Sequence, residues 1–441
     1  MSVLGFLFFL VTAFALLTVQ RKWALVPFLV GILYMTHGQR FDDLGIGLPI
    51  FRLLLVVGLG RIIMRGEFIE GGMNTIDKLL LAFFGWMFFA SFYHDSTLDE
   101  AGPKFIIGQI AEIGIGYLLV RCYCRNLEEF YSLLAVLAFL LVPVALEMVY
   151  EEFSGKNLFS SLFGGNTVDV VVRDGELRAR GPFRHAILAG TVGAGLVPLM
   201  IALWRRNPKA AATGLTACLT MVIACSSSGP ILSVAAGIMA MCLWWFRSWM
   251  SLLRWSIPIG YLALELVMKQ PAYFIIGKLS IGSSTGWHRS KLIDAAVKHF
   301  DEWWAVGTDY TRAWMPTGLP GKSQHTDITN YFLGFGVKGG ILAVLLFIAI
   351  IWVAFKWVGN ILDARPDLED RDRFMIWCMG ASLFSHVATS ISVAYYDQSY
   401  VFFWFSIASI ASLAAMIHES AEETEGLPGE GSGPYSYEMP R

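Results

Sequence analysis

The sequence predicts an all-α, polytopic integral membrane protein, and three observations carry that prediction. Hydrophobic residues make up 56 % of the 441-residue chain and charged residues 15 %, where soluble domains carry about 25 % charged residues. The mean hydropathy is +0.57. Apolar runs of spanning length recur along the chain, most of them joined by short links. With 32 Phe, 15 Trp and 15 Tyr as well, the composition excludes a disordered chain, a nucleic-acid binder and an ordinary cytosolic enzyme.

The runs lie at about 2–19, 46–64, 77–93, 104–121, 130–150, 183–204, 209–224, 229–246, 251–268, 328–357, 374–392 and 396–417. A shorter run at 23–36 is a half-helix or a tilted partner of the first, so about 12 to 13 transmembrane helices are expected. Ser2 to Thr18 has no basic segment before it and is expected to stay as a first span. Residues 1–418 form the transmembrane domain. The tail from 419 to 441 is acidic and rich in Gly and Pro, and is expected to be a disordered cytoplasmic tail. The six cysteines are scattered in or beside apolar runs, and the Cys122-x-Cys124 spacing is wrong for zinc, so they read as small helix residues.

Lys and Arg set the sidedness. One alternate set of connections holds Arg21 and Lys22, then Arg61, Arg65 and Lys78, then Arg121 and Arg125. It continues with Arg205, Arg206 and Lys209, then Arg247 and Arg254, then Lys356, Arg365, Arg371 and Arg373. The opposite short connections hold only Arg40 and Lys104. The basic set is expected to face the cytoplasm, and the C-terminus with it. The side of the N-terminus depends on whether 23–36 crosses. Two connections on the other side, 151–182 and 269–327, are long, and long loops in an otherwise tightly linked chain carry function.

The loop 269–327 holds the cations Lys269, Lys278, Arg289, Lys291, Lys298, Arg312 and Lys322 and the histidines His288, His299 and His325. Within it, Thr285 to Trp304 reads as an amphipathic helix. Ser283, Ser284 and Thr285 offer cap oxygens. Leu292, Ile293, Ala296, Phe300, Trp303 and Trp304 recur at three and four. Arg289 lies one turn ahead on that face, at the depth of a lipid phosphate; a snorkelling arginine would sit there too. The stretch Arg178-Ala-Arg180-Gly-Pro-Phe-Arg184-His185 stands at the start of a span near Phe183. Arginine forks suit phosphate oxygens, and interfacial anchoring is the plainer alternative. Pro182 is expected in that span's first turn. His325 precedes the span beginning at Ile328, with Asp327, Thr329 and Asn330 beside it. A histidine there can accept a proton near neutral pH, or simply cap the interface. Within the spans, Arg52 and Glu112 look deepest, as an interhelical pair or as part of a charged cavity.

The region from Arg178 to Ile351 resembles the O-antigen ligase / O-antigen polymerase family of bacterial envelope glycan assembly. Arg180-Gly181-Pro182-Phe183 is similar to the family's Arg-x-Gly-x-Phe entrance to a span. Arg289 with Leu292 and Ala295-Ala296 resembles its Arg-led loop helix. Trp304-Ala305-Val306-Gly307-Thr308-Asp309-Tyr310 resembles the Pro-x-x-Gly-x-Gly turn after that helix, with the second Gly replaced by Asp309 or displaced. His325 with Gly336 and Gly339 resembles its His-Asn…Gly-x-x-Gly block, with Thr326 in the place of the Asn. Ser226 to Pro230 holds no arginine where the family often has Ser-Arg.

The resemblance implies a metal-independent glycosyltransferase without a cofactor. The donor would be an undecaprenyl-pyrophosphate-linked oligosaccharide at the periplasmic face of the inner membrane. The acceptor would be a glycan or a second lipid-linked unit. Arg289 and His325 are implied as catalytic, with Arg180, Arg184, Asp327 and Asn330 as substrate-binding residues. Implied partners are membrane lipids and other polysaccharide assembly proteins, with no nucleic acid. Polymerase is slightly preferred to ligase. Two rivals remain. One is a transporter or flippase of lipid-linked glycans or small solutes, against which the lack of a detectable internal repeat counts. The other is a peptidoglycan-type polymerase using Asp294, Asp301 or Asp309.

Overall fold

The computed structural model describes residues 2–41, 48–95, 101–173, 175–279, 285–314 and 326–414, which are mostly helical. Six helices come first: α1 (Val3–Thr18), α2 (Leu25–Tyr34), α3 (Ile50–Arg65), α4 (Thr75–Ser91), α5 (Pro103–Tyr123) and α6 (Leu127–Ser154). A short α7 (Leu158–Phe163) leads to α8 (Ala186–Leu203), α9 (Pro208–Ala224), α10 (Ser228–Cys242) and α11 (Met250–Val267). The long loop holds α12 (Ile275–Leu279), α13 (Thr285–Lys298) and α14 (Phe300–Trp303). The chain closes on α15 (Tyr331–Ala364), α16 (Asp370–Ser390) and α17 (Tyr400–Leu413). Two small antiparallel ladders decorate the links: β1 (Arg40–Phe41) with β2 (Leu48–Pro49), and β3 (Val171–Arg173) with β4 (Glu176–Arg178).

Among the described residues, five helical stretches are long and apolar enough to cross a membrane: Pro103–Tyr123, Leu127–Ser154, Ala186–Leu203, Ser228–Trp249 and Tyr331–Ala364. Val3–Thr18, Pro208–Ala224 and Tyr400–Leu413 are apolar but shorter. Local chemistry sets the ends. α4 opens on a capping box, in which Asn74 accepts from the Asp77 N–H and Asp77 accepts from the Asn74 N–H. α3 and α6 stop on Gly66 and Gly155, both left-handed at φ 65° and 68°. The cysteines are free, and all but Cys242 are buried.

α8 and α11 are opposites. α8 is small-residue-rich and enclosed: a Cβ on Gly193 would stand 2.7 Å from the Cys218 carbonyl oxygen, and one on Gly195 would overlap His386. No described side chain of α11 is buried.

The connections sort to two ends. At one end Arg21 pairs with Glu129 (2.5 Å), Arg61 with Glu67 (2.8 Å), Arg121 with Asp77 (3.0 Å), Arg125 with Glu70 (3.2 Å) and Arg206 with Glu128. These arginines belong to the basic set expected to share one side. At the other end the Ser2 N–H donates to Gln39 (2.8 Å), and the Gln39 amide donates to the Phe163 carbonyl. Gln398 bridges the Met35 and Pro182 carbonyls (3.2 and 3.1 Å), and Asn330 donates to the Ile391 carbonyl (2.9 Å). The start of the chain and both long connections therefore lie at this loop end.

Two elements depart from the expectation. The helix read over 285–304 is two. His299 (φ −100°, ψ 26°) separates α13 from α14, bonds forward to Glu302 (2.7 Å) and stacks on Trp314. Trp303 folds back to donate to the Ala296 carbonyl (2.8 Å), while Phe300 and Trp304 are exposed. The expected aromatic stripe is thus divided, and the cap residues Ser283 and Ser284 lie outside the described residues. The span read from Phe183 instead begins at Ala186, with the His185 ring accepting from the Ile187 N–H (3.2 Å). Pro182 lies in the turn ahead of it.

Candidate functional site

The loop end collects the candidate residues, beginning with the run around Arg180. Glu151, at the end of α6, accepts the Arg180 and Gly181 N–H groups (2.9 and 2.8 Å). Gly181 takes φ 58°, the left-handed value that the turn into α8 requires. The Arg180 guanidinium is buried, donating to the Thr167 hydroxyl (2.8 Å) and the Thr167 carbonyl, with Glu151 at 4.0 Å. Arg178 is buried too. Arg184 differs: its N–H binds Asp397 (2.8 Å), and its exposed guanidinium stands 5.9 Å from the Tyr396 ring.

Arg184 has neighbours that spacing alone does not reveal. His37, in the link after α2, stacks on Phe51 with ring centroids 5.7 Å apart. Its imidazole is pushed down to about 4, first by burial and then by the charges of Arg184, Arg40 and Arg52. It is therefore neutral near pH 7, and its Nδ1 is buried with no hydrogen-bond partner among the described residues. Arg52, on α3, pairs through Nε with Glu112 on α5, lying across Gly108, where a Cβ would meet it at 3.5 Å. The expected deep pair is thus present, and the charge of Arg52 reaches His37 together with those of Arg184 and Arg40. Burial raises the Asp397 carboxyl, with Ser399 and the Arg184 N–H acting against it. The available sequence signal for His37 was its place three residues before Arg40, one of two cations in the short links of that side.

Arg289 sits half-buried on α13, one turn before the fully buried Leu292. Its helix rests on α15 through a small apolar cluster of Ala295, Ala296, Trp303, Trp314 and Val337. Asp294 is occupied by Tyr273 (3.0 Å) and Lys298 (2.9 Å). Asp327 is exposed. Asn330 is buried; it caps α15 by accepting from Leu333 (3.0 Å) while it donates to Ile391. His325 lies outside the described residues.

The turn after α14 meets a gap in α15. At Gly339 (φ −150°, ψ 15°) and Gly340 (φ 69°, ψ −171°) the helix breaks. The Thr308 N–H donates to the Val337 carbonyl and the Ile341 N–H to the Trp304 carbonyl, both at 2.8 Å. Trp86 donates to the Gly339 carbonyl (2.6 Å). Cβ atoms at Gly307 and Gly340 would overlap the Val337 and Ala305 carbonyl oxygens, which explains glycine at each.

Among the described residues, no group of three or more His, Cys, Asp or Glu side chains is placed to hold a metal ion. In comparison with known proteins, the chain matches no protein-family model, and no curated protein is significantly similar to it.

Proposed function

We propose that the chain is an inner-membrane glycosyltransferase of the O-antigen ligase / O-antigen polymerase kind, moving glycans from undecaprenyl pyrophosphate to a sugar hydroxyl. In this reading α1–α6, α8–α11 and α15–α17 are the spans. The loop end, with Ser2, is periplasmic, and the basic end and C-terminus are cytoplasmic. The observation that carries the reading is the Arg184 fork at the loop end, which is exposed, lies against the Tyr396 ring and has no acid paired to it among the described residues. Arg52 pairs with Glu112 through Nε alone. The opposite end pairs many of its arginines with acids. A lipid pyrophosphate at headgroup depth calls for such planar forks.

The acceptor hydroxyl attacks the anomeric carbon and gives its proton to His325. The bond from that carbon to the pyrophosphate oxygen breaks, and the lipid pyrophosphate leaves with its charge stabilised by Arg289 and Arg184. Asp327 is open to an acceptor hydroxyl, while Arg180 and Asn330 support the site through the bonds they make. Polymerase is preferred to ligase, with a second lipid-linked unit as acceptor.

The test is purified protein with a lipid-linked donor and a gel readout of glycan length. Loss of one preorganised donor costs about 10²–10³-fold in rate, so Arg289→Lys should be well expressed and slower by roughly that factor. A lysine variant within about twofold of wild type would return Arg289 to interfacial anchoring, for which Lys suffices. The Arg52–Glu112 pair between two helices also suits a transporter. Uptake of a lipid-linked glycan into vesicles without lengthening would favour that second reading.

A further inference from the structure

His94 follows α4 and is buried, with acceptors on both sides of its ring. Nδ1 faces the Asp309 carboxylate at 2.6 Å, and Nε2 faces the Val306 carbonyl at 2.9 Å and the Lys338 carbonyl at 3.1 Å. A neutral imidazole has one N–H. Removing either proton turns a lone pair onto a carboxylate or onto two carbonyls, so this set of acceptors calls for the imidazolium. The second oxygen of Asp309 is filled by the Asp95 N–H (2.8 Å). The charged groups around the ring are Asp309, Asp95 beside it in the chain, and Lys338, whose ammonium lies 4.8 Å from the Phe105 ring.

Val306 and Asp309 belong to the turn seated in the break of α15, and Lys338 is the last residue before that break. One ring therefore ties the end of α4, the turn and α15 together. The turn continues α14, whose Trp303 is bonded and packed to α13. We propose that His94, as the imidazolium, is the positioning residue that holds residues 303–309 in the break of α15 and thereby fixes the loop helix bearing Arg289. Its relevance to catalysis rests on the glycosyltransferase reading; the latch itself does not.

The experiment is hydrogen–deuterium exchange of the full chain in lipid nanodiscs at one fixed pH, followed over residues 303–310 and 338–345. The Thr308 and Ile341 amides report the seated turn. His94→Gln offers a donor on one side only, and Asp309→Asn removes the charge while keeping the shape. Each should lower protection of these amides by about 10- to 100-fold, the size of one hydrogen bond to a charged group, and the double variant should lose no more than either alone. Wild-type protection in either variant, or additive losses in the double variant, would overturn the latch. In the transfer assay, His94→Gln should lower kcat more than it raises KM for the donor, and Arg289→Lys added to it should cost less than it does alone. A chain that transfers no glycan but still loses this protection on His94→Gln would refute the transferase reading and leave the latch standing.

Discussion

Arg180 and Arg184 stand four residues apart in the same run, yet the structure assigns them opposite duties, and alanine at each should separate stability from activity. Arg180 is buried and donates to Thr167 twice. Hydrogen bonds to charged groups contribute about 1.5–3 kcal/mol each. Its loss also leaves the fully buried Glu151 side chain without its nearest cation, and breaking a buried pair costs about 3–5 kcal/mol. These effects overlap, so Arg180→Ala should cost about 3–5 kcal/mol. Arg184 loses only a cation–π contact at 5.9 Å, about 0.5–1 kcal/mol at an exposed site. Thermal unfolding followed by tryptophan fluorescence in nanodiscs should therefore show a large drop for Arg180→Ala and almost none for Arg184→Ala. Transfer rates measured well below either unfolding range should rank the other way, with Arg184→Ala about 10²-fold slower or more. The reasoning fails if Arg180→Ala unfolds like wild type, or if Arg184→Ala is the less stable of the two.

Three further outcomes are expected. In a cysteine-free background, cysteine at exposed Val172 should react with an impermeant thiol reagent added outside the inner membrane, and cysteine at Asn207 only after lysis; the reverse pattern would invert the site. His325→Ala should abolish transfer while the protein stays in the membrane, wild-type activity should survive EDTA and fall at acid pH, and an active alanine variant would remove His325 as the base. His37 is held at about 4 in the folded chain against about 6.5 unfolded. The unfolded chain thus binds more protons between those values, stability should fall as pH drops through that window, and His37→Gln should flatten the dependence in denaturation measured from pH 4 to 7.

The helices were legible because their apolar residues are contiguous, and five of those described are long and apolar enough to cross a membrane. The run read at 104–121 is Pro103–Tyr123, and the short run at 23–36 contains Leu25–Tyr34. The grouping of Arg21, Arg61, Arg121 and Arg206 at one end followed from the same alternation. Hydropathy is blind to hydrogen bonds, so the run at 328–357 gave no sign of the break at Gly339–Gly340. Spacing could not distinguish Arg180 from Arg184, because Thr167 and Tyr396 approach from other parts of the chain. The same holds for His94, whose partner Asp309 lies 215 residues away. His325 and the tail lie outside the described residues.

The contrast between α8 and α11 sets how each helix can change. Along α8 a single methyl at Gly195 would collide with His386, so shape decides which residues are accepted. α11 answers to the medium outside the protein. A complete substitution scan should yield two different rulers. Tolerance along α8 should track side-chain volume, position by position. Tolerance along α11 should follow transfer free energy alone, with Leu, Ile, Phe and Val interchangeable and charge excluded from its middle. The first helix is edited by its neighbours, and the second only by its solvent.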